Sequence, residues 1–372
     1  MLKIGITGQK GFIGTHLYNT LGLYPHLYER VEFEREMFES ESALDHFVSQ
    51  CDVIVHLAAM NRHMNEHVIY DTNIKLVKKF IAALDRTRSS AHVLFSSSSQ
   101  EDREGLYGKS KSEGRELLAE WAKRSSGCFT GLIIPNVFGP FGLPEYNSFI
   151  ATFCYRLTHG QMPDVRLDTR IKLIYVAELV QFILDRIDER KTNISCSVVC
   201  TEEIEVSSVL TLLKGYQKQY FVNGQIPEIK TSFEKNLFNT FRSYIDHGQH
   251  FPQKLVRHAD QRGAFVEIIR LGVGGQVSFS TTAPGVTRGN HYHTRKIERF
   301  AVISGRALIQ LRRVGTSKVL EFEVSGSEPA YVDMPIWYTH SIRNIGNDIL
   351  YTNFWIDEFY NPLDADTFIE DV

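Results

Sequence analysis

The chain lacks any apolar run near the ~18 residues that a bilayer-spanning helix requires, so no membrane partner is expected. It also lacks an excess of either charge. Lys and Arg number 41 against 44 Asp and Glu, a formal net charge of −3, which removes the usual electrostatic reason to expect nucleic acid as a partner. Cysteine is scarce and scattered. Cys51, Cys128, Cys154, Cys196 and Cys200 are odd in number and form no CxxC pair, which argues against a disulfide framework or a zinc knuckle. No basic segment followed by an apolar one precedes the first strand, so a cytoplasmic protein is expected. Internal repeats are missing too, and the only biased tract is the short run Ser96–Ser99.

What is present is an ordinary globular composition, 43% hydrophobic and 23% charged, over 372 residues. That length exceeds what one core usually serves, so two domains are expected. From Lys3 to about Ile134, short apolar strands alternate with helical patterns. Lys3–Thr7, Arg30–Phe33, Val53–Leu57, Ala91–Ser96 and Thr130–Ile134 read as strands. Phe12–Leu21, Ile69–Leu84 and Lys109–Lys123 have apolar residues at helical spacing. Such alternation predicts a doubly wound parallel sheet of the α/β Rossmann type. A helix over Ser148–His159, a strand near Ile171–Ile174 and a helix over Ala177–Ile187 continue the pattern toward Tyr244. After Asp246-His-Gly-Gln-His-Phe-Pro252, strand-like stretches follow one another without a long helix: Gln276–Thr281, Phe300–Ser304, Ala307–Arg312, Lys318–Val324, Thr339–Arg343 and Ile349–Trp355. This predicts an all-β sandwich or barrel. The boundary is expected near residue 247, dividing the chain into 1–246 and 247–372.

The first strand runs into Thr7-Gly8-Gln9-Lys10-Gly11-Phe12-Ile13-Gly14. Gly8 permits a tight turn, Gly11 lets backbone approach a pyrophosphate, and Gly14 lets helix pack on strand. The helix N-terminus offers unpaired N–H groups to phosphates. Further on, Tyr107-Gly-Lys-Ser-Lys111 places a phenol and an amine four residues apart on one helical face. A neighbouring ammonium favours phenolate, which suits Tyr107 to exchange a proton with a carbonyl oxygen. Alone, this pair would read as a surface tyrosine and a solvated lysine. Its order after the glycines, Val53-Ile-Val-His-Leu-Ala-Ala59 and Ser96–Ser99 makes a catalytic reading the better one.

These residues, in this order, resemble the extended short-chain dehydrogenase/reductase family. The resemblance implies that Ser98, the third serine of its run, orients the carbonyl, with Ser97 as the alternative. It makes Tyr107 the acid and Lys111 the partner that tunes it and holds the nicotinamide ribose. It implies cofactor contacts from Gly8, Gly11, Phe12, Ile13, Gly14, Leu57, Ala58 and Ala59, and places Asn136 at the nucleotide-sugar substrate. Glu32 or Glu34 could hold a ribose hydroxyl, whereas Arg35 could pair with a 2′-phosphate. Biosynthetic relatives favour NADPH.

Far downstream, His291 and His293 alternate, so both are expected on one face of a strand. The full pattern Gly285-x5-His291-x-His293-x4-Glu298-x6-Gly305, followed by Pro335, His340 and Asn344, matches the two cupin motifs, except that Trp337 stands where glycine is usual. Histidines with a carboxylate suit a borderline divalent cation. His291, His293, Glu298 and His340 are therefore the expected ligands, and zinc the expected metal.

Together, His56-Leu-Ala-Ala-Met-Asn-Arg62, Pro135-Asn-Val-Phe-Gly139, Gly289-Asn-His-Tyr-His293 and Tyr338-Thr-His340 are similar to segments of bifunctional enzymes of capsule and O-antigen synthesis of the CapF/WbjC type. That resemblance covers essentially the whole chain. It implies a cupin domain that inverts carbon 3 of UDP-2-acetamido-2,6-dideoxy-β-L-arabino-4-hexulose, a UDP-linked 4-keto-6-deoxy amino sugar. It further implies NADPH-dependent reduction of the 4-ketone on the route to UDP-N-acetyl-L-fucosamine. The base for carbon 3 stays open among Lys296, Tyr338, His291 and an exchanged water. Arg62 and Arg295 are candidates for the diphosphate, and a homodimer is expected. Competing readings are a reductase with a purely structural cupin, an NADPH-sensing regulator and a cupin dioxygenase fused to a reductase.

Overall fold

Alternating apolar strands and amphipathic helices build the first half of the chain, as a computed structural model shows; the structure describes residues 1–102, 104–261 and 263–372. The elements run β1 (Leu2–Thr7), α1 (Phe12–Gly22), β2 (Tyr28–Val31), α2 (Glu41–Gln50), β3 (Val53–His56), α3 (Glu66–Arg86), β4 (His92–Ser98), α4 (Leu106–Arg124) and β5 (Phe129–Ile134). They continue with β6 (Asn136–Phe138), α5 (Phe149–Thr158), β7 (Arg170–Tyr175), α6 (Val176–Glu189), β8 (Asn193–Ser197) and β9 (Glu202–Glu205). Helix α2 buries Leu44, Phe47 and Val48 at helical spacing, and Ser40 starts it, its hydroxyl accepting from the Ala43 amide.

Two compact units result: Met1–Thr152 with Leu167–Val206, and Phe153–Arg166 with Ser207–Val372. In the first, a six-stranded parallel sheet has the order β2-β1-β3-β4-β5-β8. One face packs Phe47 of α2, Phe80 of α3 and Trp121 of α4. The other packs Leu17 and Leu21 of α1 and Ile183 and Ile187 of α6. Each such side chain contributes roughly 1.5–3 kcal/mol by leaving water. The small sheet β6-β7-β9 lies beside the main one in sequence.

The second unit contains α7 (Val206–Tyr216, from Ser207 onward), the π-helical turn Gln217–Val222, α8 (Ser232–Arg242) and α9 (His247–His250). Its strands are β10 (Gln253–Lys254), β11 (Arg257–Asp260), β12 (Gly263–Val266), β13 (Gln276–Thr282), β14 (Thr287–Tyr292), β15 (Glu298–Ser304) and β16 (Arg306–Arg313). The remainder are β17 (Val319–Ser325), β18 (Ala330–Met334), β19 (Tyr338–Asn344), β20 (Leu350–Ile356) and β21 (Phe368–Ile369). Two five-stranded antiparallel sheets, β10-β18-β15-β20-β13 and β17-β16-β19-β14-β21, form the cupin-like all-β fold around Val302, Ile309, Leu311, Val332 and Ile342.

Helix α8 buries Phe233, Leu237, Phe238 and Phe241, one apolar stripe at helical spacing. An ionic knot ties it to β15 and β18. Arg299 pairs with Asp333 at 2.7 Å, Tyr220 donates to Asp333 at 2.7 Å, and Arg242 donates to the Met334 carbonyl at 3.0 Å.

Candidate active and metal sites

Strand order reverses between β1 and β3, and that crevice is where a doubly wound sheet takes ligands. The glycine-rich turn lies there. Gly8 has φ +79°, and a Cβ on it would stand 3.0 Å from the Ala58 amide nitrogen. A Cβ at Gly14 would come within 2.2 Å of the Gly8 carbonyl oxygen. The N-cap of α1, Gly11, supplies no side-chain hydrogen bond, so first-turn N–H groups stay available to an anion. Ile13 and Leu57 pack against the core on one face of the sheet, Ala58 against the other, and Phe12 meets His16 edge-on at 5.5 Å. Ala59 is partly buried just beyond β3.

The charged residues after β2 are arranged in a way the sequence did not reveal. Glu32 accepts from Gln9 of the glycine turn at 3.0 Å and from the Tyr18 hydroxyl, and Glu34 pairs with Lys10 at 2.5 Å. Arg35 stands exposed at the start of the 3₁₀ turn Arg35–Glu39.

Ser98 ends β4, at the carboxyl edge of the sheet. The hydroxyls of the serine run divide by strand parity. Ser96 donates to the His56 carbonyl at 3.2 Å, and Ser97 donates to Glu101, itself paired with Arg115 at 2.7 Å. Ser98 Oγ accepts from the Gln100 amide at 3.2 Å, and no acceptor for its proton occurs among the described residues. Glycine is required at 108, because a Cβ there would lie 2.1 Å from the Gln100 carbonyl oxygen. That close approach sets the first turn of α4 against the loop after Ser98.

Tyr107 and Lys111 occupy that turn and the next. The Lys111 ammonium is buried, 5.9 Å from the Tyr107 ring centroid, and donates to the Ser96 carbonyl at 2.8 Å. Burial pulls Lys111 down to about 8, partly offset by Glu101. Burial, with Tyr146 nearby, pushes Tyr107 up to about 12. The expected lowering of the Tyr107 pKa by Lys111 is thus not found; burial and Tyr146 raise it instead. Asn136 is exposed at the start of β6, donating to the Lys172 carbonyl at 3.3 Å. Arg62 donates to the carbonyls of Glu145 and Tyr146 at 2.8 and 2.9 Å, so it holds the loop that carries Tyr146.

The second unit gathers four candidate metal ligands of two residue types. His291, His293, Glu298 and His340 each offer an atom, all within 4.8 Å of one another. β14 and β19 pair His291 directly with His340, and Glu298 comes from the other sheet as the first residue of β15. A register shift between Gly289 and His291, and the end of β14 at Tyr292, leave His293 just past the strand instead of on it. Glu298 Oε2 lies 3.1 Å from His293 Nε2 and 3.4 Å from His340 Nε2. These three atoms are buried and have no hydrogen-bond partner beyond that ion-pair contact. Nδ1 of His293 faces the Asp366 carbonyl at 2.5 Å, and Nδ1 of His340 faces the Tyr338 carbonyl at 3.3 Å. With their protons on Nδ1, both rings turn lone pairs toward Glu298, the tautomer a metal ligand needs. Burial works against charge on Glu298, but the close approach of His293 and His340 holds its pKa well below the carboxylate range. Burial lowers His291 to about 4, assisted by His340 and His293. Burial opposes charge on His293, but Glu298 and Asp366 raise its pKa, so a cation would take the place of that proton; imidazoles around an ionised carboxylate fit a divalent cation.

Trp337, the departure from the cupin motif, keeps the glycine-like backbone, with φ +61°. Its amide donates to the His293 carbonyl at 2.8 Å, and its ring stacks on Tyr292 at 5.7 Å. Lys296 is buried with its ammonium 2.6 Å from the Ala365 carbonyl. Arg295 pairs with Glu358 and Asp364, so its guanidinium is engaged by carboxylates. Asp366, absent from the sequence reading, is the main new participant.

Comparison with known proteins places each half of the chain in a family. Residues 4–195 match the model of the NAD dependent epimerase/dehydratase family, and 258–368 match the polysaccharide biosynthesis C-terminal domain. The crystal structure of the capsular polysaccharide assembling protein CapF from Staphylococcus aureus is 32% identical, with 100% of both chains covered and a TM-score of 0.64. The chain belongs to the CapF family, within the NAD dependent epimerase/dehydratases. Within the CapF family's neighbourhood, it is also 29% identical to the UDP-2-acetamido-2,6-beta-L-arabino-hexul-4-ose reductase of Pseudomonas aeruginosa, over 99% of this chain and 98% of that protein. The spore coat polysaccharide biosynthesis protein SpsL of Bacillus subtilis is 29% identical over 120 residues, 30% of this chain and 80% of that protein. No helix among the described residues is long and apolar enough to cross a membrane.

Proposed function

We propose that the chain acts twice on one UDP-linked 2-acetamido-2,6-dideoxy-4-keto sugar, inverting carbon 3 and then reducing the ketone at carbon 4 with NADPH. The observation that carries this reading is the presence, in one chain, of a buried Tyr107–Lys111 pair and of three convergent, orphaned donor atoms on His293, Glu298 and His340. Similarity over essentially the full length to the named hexulose reductase supports the substrate class.

In the reductase half, Gly8, Gly11, Phe12, Ile13, Gly14, Leu57, Ala58 and Ala59 would hold the dinucleotide, with Arg35 toward a 2′-phosphate. Engagement of Glu32 by Gln9 and Tyr18, and of Glu34 by Lys10, supports the phosphorylated cofactor. NADPH supplies the hydride that carbon 4 accepts. Ser98 donates to the carbonyl oxygen, Tyr107 delivers the proton there, and Lys111 holds positive charge beside them. Asn136 contacts the nucleotide sugar. Arg62 contributes through the loop at Tyr146, which it holds, and directly toward diphosphate.

In the cupin half, His291, His293, Glu298 and His340 would hold the cation, zinc. The bound cation supplies a Lewis acid for the C4 oxygen. The ketone acidifies the carbon 3 proton, which leaves one face of the sugar and returns to the other, so atoms balance. Reduction then removes the carbonyl that permits this exchange and locks the new stereocentre. The engagement of Lys296 by Ala365 favours Tyr338, His291 or a water as base over Lys296. A homodimer completes the proposal, supported by the edge strand β13 with exposed Val277 and Phe279.

The test is incubation with the 4-keto UDP-sugar in deuterated water. Deuterium should enter carbon 3 without NADPH, and His340→Ala should abolish it. Failure of the wild-type protein to exchange label would remove the epimerase role and leave the reductase.

A further inference from the structure

Residues 364–371 bond to the His293–Lys296 loop and to β14 from about seventy residues away in sequence, and their contacts concentrate on one residue, Asp366. It is buried, with a left-handed backbone at φ +42°. Its carbonyl faces His293 Nδ1 at 2.5 Å. Its carboxylate accepts from both the amide and hydroxyl of Thr294, at 3.1 and 2.6 Å, and from the amides of Arg295 and Lys296, at 3.0 and 3.2 Å. The loop joining His293 to Glu298 is therefore wrapped around this single carboxylate.

Neighbouring residues seat the segment. β21 pairs with β14, setting Ile369 opposite His291 and Phe368 opposite Tyr292. The Glu370 amide donates to the Asn290 carbonyl at 3.0 Å, and the Glu370 carboxylate pairs with Arg312 at 2.8 Å. Lys296 Nζ, 2.6 Å from the Ala365 carbonyl, adds a further tie.

We infer that Asp366 is the positioning residue of the metal centre: it selects the His293 tautomer through its carbonyl and sets the His293–Glu298 spacing through its carboxylate. The inference rests on the metal reading of the cluster. Physically, four amide and hydroxyl donors converging on one buried carboxylate leave the loop little freedom. A ligand pair fixed before binding avoids the ordering cost that a loose loop would impose. Outer-shell partners of metal ligands typically change affinity by about 10–100-fold when removed.

Asp366→Ala removes every carboxylate bond and puts a Cβ residue without a local hydrogen bond at positive φ. Asp366→Asn keeps one oxygen acceptor and tolerates that backbone conformation. Thr294→Val removes one hydroxyl bond and touches no ligand. The measurement is Zn²⁺ and Co²⁺ affinity by chelator competition on the full-length protein, with the Co²⁺ d–d spectrum as a report of ligand geometry. Expected are a roughly 10–100-fold loss for Asp366→Ala, a smaller loss for Asp366→Asn, a few-fold loss for Thr294→Val and an altered Co²⁺ spectrum in the first. If Asp366→Ala does not fold, the other two variants decide. Variants that fold and bind both ions like wild type, with an unchanged spectrum, overturn the assignment while leaving the metal reading intact. Wild-type protein that binds neither ion overturns both.

Discussion

In the proposed reduction, Lys111 and Tyr107 divide one task by what burial does to each. Desolvation disfavours charge on both, so it raises the phenol to about 12 and lowers the amine to about 8. Tyr107 therefore stays protonated, as an acid must, throughout the physiological range. Its replacement by Phe is expected to reduce keto-sugar reduction by about 10²–10⁴-fold while carbon 3 exchange persists; equal loss of both would contradict separate sites. The folded Lys111 pKa lies below its ordinary 10.5, so the ammonium persists below pH 8 and disappears above it. Its charge beside the reacting carbonyl is lost in that order, and kcat/KM for reduction should decline as pH rises past about 8. Lys111→Arg, charged at all accessible pH, should remove that decline from whatever activity it retains; a wild-type profile flat to pH 10 would contradict the role. The linked stability has the opposite slope. Between about 8 and 10.5 the unfolded chain binds more protons, so this residue's contribution to stability increases with pH.

At the scale of elements, turns and strand ends position the candidate site residues. The β1–α1 turn works because Gly14 lets α1 sit on the Gly8 carbonyl, and the first turn of α4 because Gly108 accepts the Gln100 carbonyl. Trp337 shows the opposite solution, a large side chain kept at a positive-φ turn. The left-handed conformation costs about 1–2 kcal/mol, whereas burying and stacking an aromatic of this size stabilises by about 3–5 kcal/mol. Packing wins. Trp337→Gly should lower stability to urea by roughly 2–3 kcal/mol, yet retain metal, since the amide bond to His293 does not need the ring. Loss of metal with unchanged stability would reverse that ranking. Short β-strands such as β14, and the positions where they end, were the hardest elements to read beforehand. The HxH alternation predicts a common face, but the bulge between Gly289 and His291 and the strand end at Tyr292 bring His293 to the site by a different route.

For the whole molecule, two compact units carry two sites, the first with the glycine-rich turn and the second with the four-ligand cluster. Anything that binds only the native form stabilises it by mass action. Calorimetry should therefore show NADPH raising one unfolding transition and Zn²⁺ another, with about 2.7 kcal/mol of stabilisation at a hundredfold excess over Kd. A chelator should lower only the Zn²⁺-sensitive transition. A single transition shifted by both ligands would contradict independent unfolding of the two units.

Local pattern was enough to predict the parallel α/β sheet and the antiparallel β fold, because hydrophobic period acts over neighbouring residues; the grouping of His291, His293, Glu298 and His340 came from the match to the two cupin motifs. Local pattern also singled out Tyr107 and Lys111, since four positions along a helix place two side chains on one face. Only folding revealed that burial raises the Tyr107 pKa, that Arg62 holds the Tyr146 loop, and that Glu32 is occupied by Gln9. Asp366 is the clearest case: no spacing rule connects it to His293 across seventy-three residues, and only β21 lying against β14 brings its oxygens to the loop. Desolvation and long-range hydrogen bonds depend on the three-dimensional neighbours of a residue, which chain order alone does not specify.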